Sequence, residues 1–163
     1  MTVTIIYYVW KPNRYIMKLE RYPYFASNDF KNYIFYSNGP KGQIKKGVRF
    51  SKMNNNPIMY NLAFGDIAEG TDVIDDMAVS NNNDRDLVLA TVANTIFDFT
   101  NNYGNHYIFA IGSTSVRTRL YQMGIVGLWN EISIDFDVYG FKDGSWHTFQ
   151  ENVNYKAFLV KRK

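Results

Sequence analysis

The first half of the chain alternates apolar and polar residues with the period of two that is typical of half-buried β-strands. Around residues 14–20 the two classes take turns: Tyr15, Met17 and Leu19 alternate with Arg14, Lys18 and Glu20. Four later segments continue this pattern or form short apolar runs, at 32–38, 48–53, 58–64 and 73–79. Turn-forming residues, as in NGPKG and NNNP, separate the segments. The first half therefore predicts an antiparallel meander of five strands.

A spacing of three and four residues then replaces the alternation and predicts the first helix. Its apolar stripe consists of Leu89, Val92, Ala93, Ile96 and Phe99. Asn83 is suited to be the N-cap, and Asp84 and Asp86 place negative charge at the positive end of the helix dipole. Gly104 fits the left-handed position that ends many helices. The sequence thus predicts a helix over 83–103.

The rest of the chain predicts a strand, a second helix and two closing strands. YIFAI at 107–111 is apolar on both faces, as expected of a central strand covered on both sides. In the block GSTSVRTRLYQMG that follows, Ser113 is suited to cap a helix and Gly124 to end it. ISIDFDVYG alternates and YKAFLVK is apolar, which predicts strands near 132–139 and 155–161.

The predicted element order is therefore βββββαβαββ, and the fold class is α+β, a largely antiparallel sheet packed by two helices. The high aromatic share of 17% agrees with a fold rich in strands. The length of 163 residues predicts a single domain over residues 1–163. The chain has no cysteine, which excludes disulfides and thiolate metal sites and suits a reducing compartment. Without a signal pattern or an apolar run near the ~18 residues of a membrane helix, we expect a cytoplasmic protein and no membrane partner.

The formal net charge of +3 hides an uneven distribution along the chain. Residues 1–53 carry ten Lys and Arg against two Asp and Glu, whereas residues 54–106 carry one against eight. The basic first third can face nucleic acid, or it can face the acidic middle third within the same fold. Net charge leaves both open, and an intramolecular or merely solvated arrangement is favoured.

The basic hairpin at 40–52 is the candidate surface for nucleic acid. Its cations are Lys41, Lys45, Lys46, Arg49 and Lys52. Aromatic residues close to them in sequence give the mixture found on surfaces that bind single strands. No RNP-type motif accompanies this mixture, and lysine-rich edges also protect sheets from aggregation. Nucleic acid is therefore an alternative partner and not the favoured one.

The block GSTSVRTRLYQMG at 112–124 concentrates the polar chemistry of the second half. A strand that feeds a helix N-terminus offers free amide groups and a favourable dipole. Ser113, Thr114 and Ser115 are therefore candidate ligand-binding residues for an anionic group, with Arg117 as the nearby cation. The block is neither a P-loop nor a dinucleotide-binding motif.

A helical wheel separates the two arginines of this block. The wheel has an apolar stripe centred on Val116, Leu120 and Met123. Arg117 and Tyr121 lie on one flank of the stripe and Arg119 on the other, which excludes a single clamp made of both arginines. Each arginine can equally run along the edge of the stripe or pair with a carboxylate.

The run from Leu89 to Tyr139 resembles a family of small uncharacterised bacterial proteins that carry a G-S-T-x-x-R-T-R-L-Y block. The matching stretches are LATVA at 89–93, GSTSVRTRLYQMGI at 112–125 and the late IDFDVYG. The resemblance implies no activity, because that family has no assigned function.

The element order is also similar to that of the GCN5-related N-acetyltransferases, in which a meander leads to a helix, a strand, a second helix and two closing strands. Their second helix often carries a pattern like A-x-x-L-Y-x-x-x-G-F, and VRTRLYQMGI is a near match. The resemblance implies acetyl-CoA as cofactor and Tyr121 as the catalytic acid that protonates the leaving thiolate. The chain departs from that family at 80–86, where SNNNDRD replaces a Gly-rich pyrophosphate loop and Asp84 and Asp86 would repel the phosphates.

The remaining polar residues give no metal site. His106 and His147 lack both metal-ligand spacing and a nucleophile partner. Glu131, Asp135 and Asp137 would place carboxylates on one strand face, suited to a cation or to acid–base work, but an ordinary polar strand face is favoured. We therefore expect no bound metal.

These patterns favour a non-catalytic cytoplasmic binding or interaction module that needs no cofactor. Another protein or a second copy of the chain are the partners considered. The first alternative is an acyl-CoA-dependent N-acyltransferase with Tyr121 as general acid. The second alternative is nucleic-acid binding through residues 41–52.

Overall fold

The computed structural model describes residues 20–78 and 80–163. The strand predicted around residues 14–20 lies almost entirely outside the described residues. The elements are, in chain order, β1 (Tyr24–Ala26), β2 (Asn32–Gly39), β3 (Gly42–Asn55), β4 (Ile58–Ile67), β5 (Ile74–Asp75), α1 (Arg85–Tyr103), β6 (Tyr107–Ala110), α2 (Ser115–Gly127), α3 (Trp129–Asp135), β7 (Phe136–Lys142), β8 (Ser145–Thr148) and β9 (Ala157–Arg162). The described part of the chain is therefore α+β, as predicted.

The strands form one mixed sheet with the order β1-β2-β3-β4-β6-β9-β7-β8, and β5 pairs with the end of β4. The pairs are antiparallel except for β4 and β6, which run parallel. A parallel pair needs a long crossover connection, and α1 lies in the one that joins β4 to β6. The hairpins β2–β3 and β3–β4 confirm most of the predicted meander.

Helix α1 covers one face of the sheet, and the hydrophobic core lies between them. Alternate side chains of β2 and β3 point towards the helix, so Tyr33, Phe35, Val48 and Phe50 are buried. Phe99 of α1 stacks on Phe50 with ring centroids 4.2 Å apart. Burial of each such side chain contributes roughly 1.5–3 kcal/mol, so these aromatic contacts hold α1 to the sheet.

The first helix has the predicted end but a different start. Gly104 follows its last residue with a φ of 93°, and its N–H donates to the Thr100 carbonyl at 2.8 Å. The N-cap is Asp84 and not Asn83, which lies in the left-handed region with a φ of 59°. Asparagine tolerates this conformation better than most residues. The N-cap therefore lies one residue later than predicted.

Both predicted ends of the second helix are wrong. Thr114 is the N-cap, because its side chain accepts from the Arg117 N–H at 3.2 Å, whereas the Ser113 hydroxyl donates to the Asp76 carbonyl. Gly124 does not end the helix, which continues to Gly127. A Cβ at position 124 would overlap Leu89 of α1, so this glycine permits close packing of the two helices.

The segment 132–135 was predicted as a strand and is helical. Helix α3 follows α2 directly, and the Ile132 N–H donates to the Leu128 carbonyl at 2.9 Å. Leu128 and Ile132 are four residues apart and both buried, whereas Ile134 is 70% exposed. Strand β7 begins only at Phe136. The spacing of the buried residues here is therefore helical, and the apparent alternation is misleading.

The sequence pattern does not predict two of the short strands, and it predicts a third that is longer than the strand observed. β1 and β8 have three and four residues and were not predicted. β5 is confined to Ile74–Asp75 within the predicted segment 73–79. By contrast, β6 lies between β4 and β9, which confirms its central position, and β9 confirms the closing strand.

Candidate functional site

Strands β4 and β6 pair over a short distance and then separate. Their parallel pairing covers Met59 to Asn61 of β4 and Tyr107 to Phe109 of β6. β4 continues to Ile67, where its last two residues pair with β5. The segment between these two pairings therefore lacks a neighbouring strand on this side. Buried backbone groups need hydrogen-bond partners, so another part of the chain must supply them.

Arg117 of α2 fills this gap. Its guanidinium donates through Nη1 to the Ala78 carbonyl and through Nη2 to the Phe64 carbonyl at 3.2 Å. The Tyr121 hydroxyl lies 3.5 Å from the same Phe64 oxygen. Arg117 is only 6% exposed. Within the described ranges, no carboxylate lies within ion-pair distance of it. Arg117 therefore bonds to backbone carbonyls in place of a strand.

The other buried polar residues of α2 also bond to neighbouring segments. Gln122 accepts from the Tyr155 N–H at 3.2 Å and donates to the Val153 carbonyl. The Thr118 hydroxyl accepts from the Gly112 N–H at 3.0 Å. One polar face of α2 is thus turned into the protein and holds the segments on both sides of it.

The apolar face of α2 is turned outward. Val116, Leu120 and Met123 recur at helical spacing and are 62%, 37% and 44% exposed. The two arginines diverge as the helical wheel predicts: Arg117 is buried, while Arg119 is exposed and donates to the Asn154 side chain at 3.2 Å. The stripe that would ordinarily face the core is therefore available at the surface.

A cleft of about 820 Å³ lies between this face of α2 and the start of α1. Its walls include Val116, Leu120 and Met123 on one side and the first turn of α1 on the other. Lys46 and Asp66 lie at the cleft with Nζ and Oδ1 2.5 Å apart, and Lys46 also donates to the Ser80 hydroxyl at 2.9 Å. The cleft therefore combines apolar walls with a paired, nearly buried cation.

The acidic residues at the start of α1 have separate roles. The Asp84 carboxylate accepts from the Tyr22 hydroxyl at 2.7 Å and from the Ser37 hydroxyl, so it joins α1 to the preceding strands. Burial raises the pKa of Tyr22, and the Asp84 carboxylate adds to the effect. Asp86 is exposed, and its Oδ1 lies 3.5 Å from the Nε of Arg85. Asp84 is thus a structural acceptor, and Asp86 is the acidic side chain open to solvent.

The cleft is lined by one of the residues predicted to bind a ligand and by the residue predicted as the catalytic acid. Arg117 and Tyr121 lie in its wall. The hydroxyls of Ser113 and Thr114 bond within the chain, and Ser115 is exposed at the helix start. The structure therefore brings together only part of the predicted anion site.

Sequence reasoning missed the role of Lys46 at this cleft. A signal was present, because Lys46 shares its strand face with Val48 and Phe50 and so points towards the core. A lysine in that position requires a buried partner, which Asp66 supplies from the neighbouring strand.

The residues predicted to bind nucleic acid do not form one surface. Lys45 and Arg49 are on the face of β3 that points away from α1, and Arg49 donates to the Asn32 side chain at 2.8 Å. Lys46 is on the opposite face and paired, while Lys41 and Lys52 are exposed near the two ends of the strand. Lys46 is thus unavailable to a phosphate in this arrangement.

The carboxylates Glu131, Asp135 and Asp137 also do not share one strand face. The first two are in α3, and only Asp137 is in β7. The His147 ring nitrogen lies 3.0 Å from the Ser145 hydroxyl. Across residues 20–78 and 80–163, no three His, Asp or Glu side chains are grouped so that they could hold a metal ion. None of the helices in these ranges combines the length and apolar character needed to cross a membrane.

Comparison with known proteins places the chain in one family. No curated protein and no solved structure matches it. A family model matches residues 18–163, which include the cleft and all of α2. This agrees with the resemblance to an uncharacterised family. The chain belongs to DUF6934, a family of unknown function.

Proposed function

We propose that the protein is a non-catalytic cytoplasmic binding or interaction module whose contact site is the α1–α2 cleft together with the exposed face of α2. This proposal rests on the orientation of α2, which turns polar side chains into the protein and an apolar stripe to the surface. Arg117, Thr118 and Gln122 are buried and bonded, while an apolar stripe is left in solvent beside a cleft. Exposed apolar patches next to a groove are typical of surfaces that bind other molecules.

Binding of a fluorescent apolar dye to the native protein tests this site. The dye bis-ANS should bind saturably to the wild type, and the triple substitution V116Q/L120Q/M123Q should remove most of the fluorescence. The control is Ile134→Gln, which alters an apolar residue of α3 that is 70% exposed and should leave the signal unchanged. Equal dye binding by the wild type and the triple variant would contradict the proposed site.

The second candidate function is an acyl-CoA-dependent N-acyltransferase. It is favoured by the order of elements, by the separation of β4 from β6, and by Tyr121 at the resulting gap. An apolar cavity of about 90 Å³ adjoins the gap, and Phe64, Leu89 and Tyr121 line both this cavity and the cleft. A ligand at the cleft would therefore have an apolar space within reach of Tyr121.

The residues at the gap do not fit acetyl-CoA in this arrangement. Arg117 already bonds to the Phe64 carbonyl, and β5 pairs with the end of β4. Asp84 and Asp86 stand at the cleft where the resemblance would place the pyrophosphate. We therefore keep acyl transfer as the alternative and assign no catalytic step to Tyr121.

A thermal-shift measurement with acetyl-CoA and coenzyme A separates the two functions. Under the binding-module proposal, neither compound raises the Tm of the protein. A rise in Tm that disappears in Tyr121→Phe or Arg117→Ala protein would replace our proposal with the acyltransferase. Tyr121→Phe is the sharper variant, because it removes only a long hydrogen bond and keeps the ring.

A further inference from the structure

We infer that the partner of the exposed α2 face is a basic amphipathic helix of another protein. This inference rests on the proposed function and names its partner class. The α2 surface is defined here by Met77, Ile111, Val116, Leu120 and Met123, together with the carboxylates of Asp75, Asp76 and Asp86. Its apolar residues, its charge and its groove each bear on the partner.

The apolar residues of the α2 surface come from three neighbouring segments. Val116 and Leu120 are spaced as one helix face, and Ile111 lies directly before the turn into α2. Met77 lies between Asp76 and Ala78, whose carbonyls accept from Ser113 and Arg117 at the start of α2. The side chains in this set are 37–65% exposed. A row of flexible apolar side chains that includes methionine suits the apolar face of a helix.

The charge on the side of these residues that faces residues 75–76 and the start of α1 is negative, while Arg119 lies on the opposite flank of α2 and donates to the Asn154 side chain. No Lys or Arg occurs between Met53 and Arg85, whereas this stretch contains six of the Asp and Glu residues. Asp75 and Asp76 are exposed beside the start of α2, and Asp86 is exposed at the cleft. Arg85, the exposed cation of the cleft lining, pairs with Asp86. The complementary partner therefore carries Lys or Arg next to its apolar residues.

The size of the site agrees with an occupant larger than one side chain, such as a helix. The cleft runs between two helices, and its volume of about 820 Å³ exceeds what a single side chain fills. The cations at the cleft are already engaged, Lys46 by Asp66 and Arg117 by two carbonyls. An anionic ligand would therefore meet few free donors there, while a cationic helix meets the exposed carboxylates of Asp75 and Asp76 beside the start of α2.

Fluorescence anisotropy with designed peptides tests the inference. The probe is a fluorescein-labelled peptide of Leu and Lys with helical spacing, and the controls are its scrambled form and a Leu/Glu form. We expect the amphipathic Leu/Lys peptide to bind at least about tenfold more tightly than either control. The triple variant V116Q/L120Q/M123Q should weaken binding by about tenfold, with Ile134→Gln unchanged.

Charge variants test the electrostatic part. The double variant D75N/D76N should weaken binding about threefold and reduce its dependence on salt, because exposed carboxylates are screened by ions. Asparagine keeps the oxygen with which Asp75 accepts from the Met77 N–H at 3.0 Å, so the local turn is retained. Asp137→Asn, an exposed carboxylate on β7, is the matched control and should leave the affinity unchanged.

Three outcomes would overturn the inference. These are equal binding of the scrambled peptide, full affinity in the triple variant, and concentration-dependent dimerisation that the triple variant abolishes, which would make a second copy the occupant. If the peptides fail while bis-ANS binding still requires Val116, Leu120 and Met123, only the partner class is wrong. If both fail, the proposed function fails as well.

Discussion

Helices α1 and α2 both bury polar side chains, but they satisfy them in different ways. In α1, Thr91 and Thr100 donate to carbonyls one turn earlier in the same helix, at 2.6 and 2.8 Å. In α2, Arg117 and Gln122 bond to other segments. The buried hydroxyls of α1 thus donate within their own helix, although Thr91 also accepts from the Tyr22 N–H at 3.0 Å, whereas the donors Arg117 and Gln122 of α2 connect separate parts of the fold. The exposed stripe of α2, Val116, Leu120 and Met123, is left for another role.

The largest expected effect on the free energy of unfolding comes from a substitution in α1, the helix that packs in the core. Phe99→Ala should lower the free energy of unfolding by about 3–5 kcal/mol, because it removes a fully buried ring that stacks on Phe50. Urea unfolding followed by circular dichroism measures the change. A loss below about 1 kcal/mol would show that α1 is not fixed through this ring.

Arg117→Met should be nearly as destabilising, although the residue is polar. It leaves the Ala78 and Phe64 carbonyls without these donors, and we expect a loss of about 2–4 kcal/mol in urea unfolding. Arg119→Met on the exposed side of the same helix is the control and should change stability by less than about 0.5 kcal/mol. Equal effects of the two substitutions would refute the connecting role of Arg117.

Alkaline pH should lower the free energy of unfolding through two tyrosines that lie where α1 meets β1 and β2. Burial raises the pKa of Tyr24 and of Tyr33, and the Asp98 carboxylate adds to both shifts. Above about pH 10 the unfolded chain releases these protons and the folded protein retains them, so stability is complete below that pH and falls above it. The expected slope is up to about 1.4 kcal/mol per pH unit for each tyrosine. Unfolding free energies from about pH 8 to about pH 11 should fall less steeply in Tyr33→Phe protein than in wild type.

Tyr33→Phe should itself stabilise the protein at neutral pH. The Tyr33 hydroxyl is buried without a hydrogen-bond partner in the described part of the chain, so its removal should raise the unfolding free energy by about 1 kcal/mol. Tyr24→Phe should act in the opposite direction, since that hydroxyl donates to Asp98 at 3.0 Å. A destabilised Tyr33→Phe protein would indicate a partner for the hydroxyl.

The smallest expected effect comes from the exposed side of α2. V116Q/L120Q/M123Q should change the unfolding free energy by less than about 0.5 kcal/mol, because these side chains lie at the surface and not in the core. Thermal unfolding by circular dichroism is sufficient to check this. A loss of several kcal/mol would mean that the stripe supports the fold and is not free for a partner.

The same contrast explains what the sequence could predict. The stripe of α1 is apolar and faces the core, so its spacing predicts the helix and Gly104 predicts its end. The stripe of α2 also predicts a helix, but not which side is buried. That side is decided by Arg117, whose partners Phe64 and Ala78 are distant in sequence.

Two other failures have different origins, one local and one in a distant contact. Ile132 belongs to a helix because it packs with Leu128, whereas the local alternation with Ile134 favours a strand. Lys46 pairs with Asp66 across two strands, a partnership that strand register determines and that composition does not. Periodicity therefore predicts elements well where the buried face is apolar, and poorly where polar residues are buried by long-range bonds.

Gly124 sets how closely α1 and α2 approach each other beside the cleft. Because its missing side chain lets Leu89 of α1 approach α2, any larger residue here would displace Leu89 or push the helices apart. Leu89 lines both the cleft and the apolar cavity behind it, so either response would change the width of the opening. The width of the cleft should therefore follow the size of the residue at position 124.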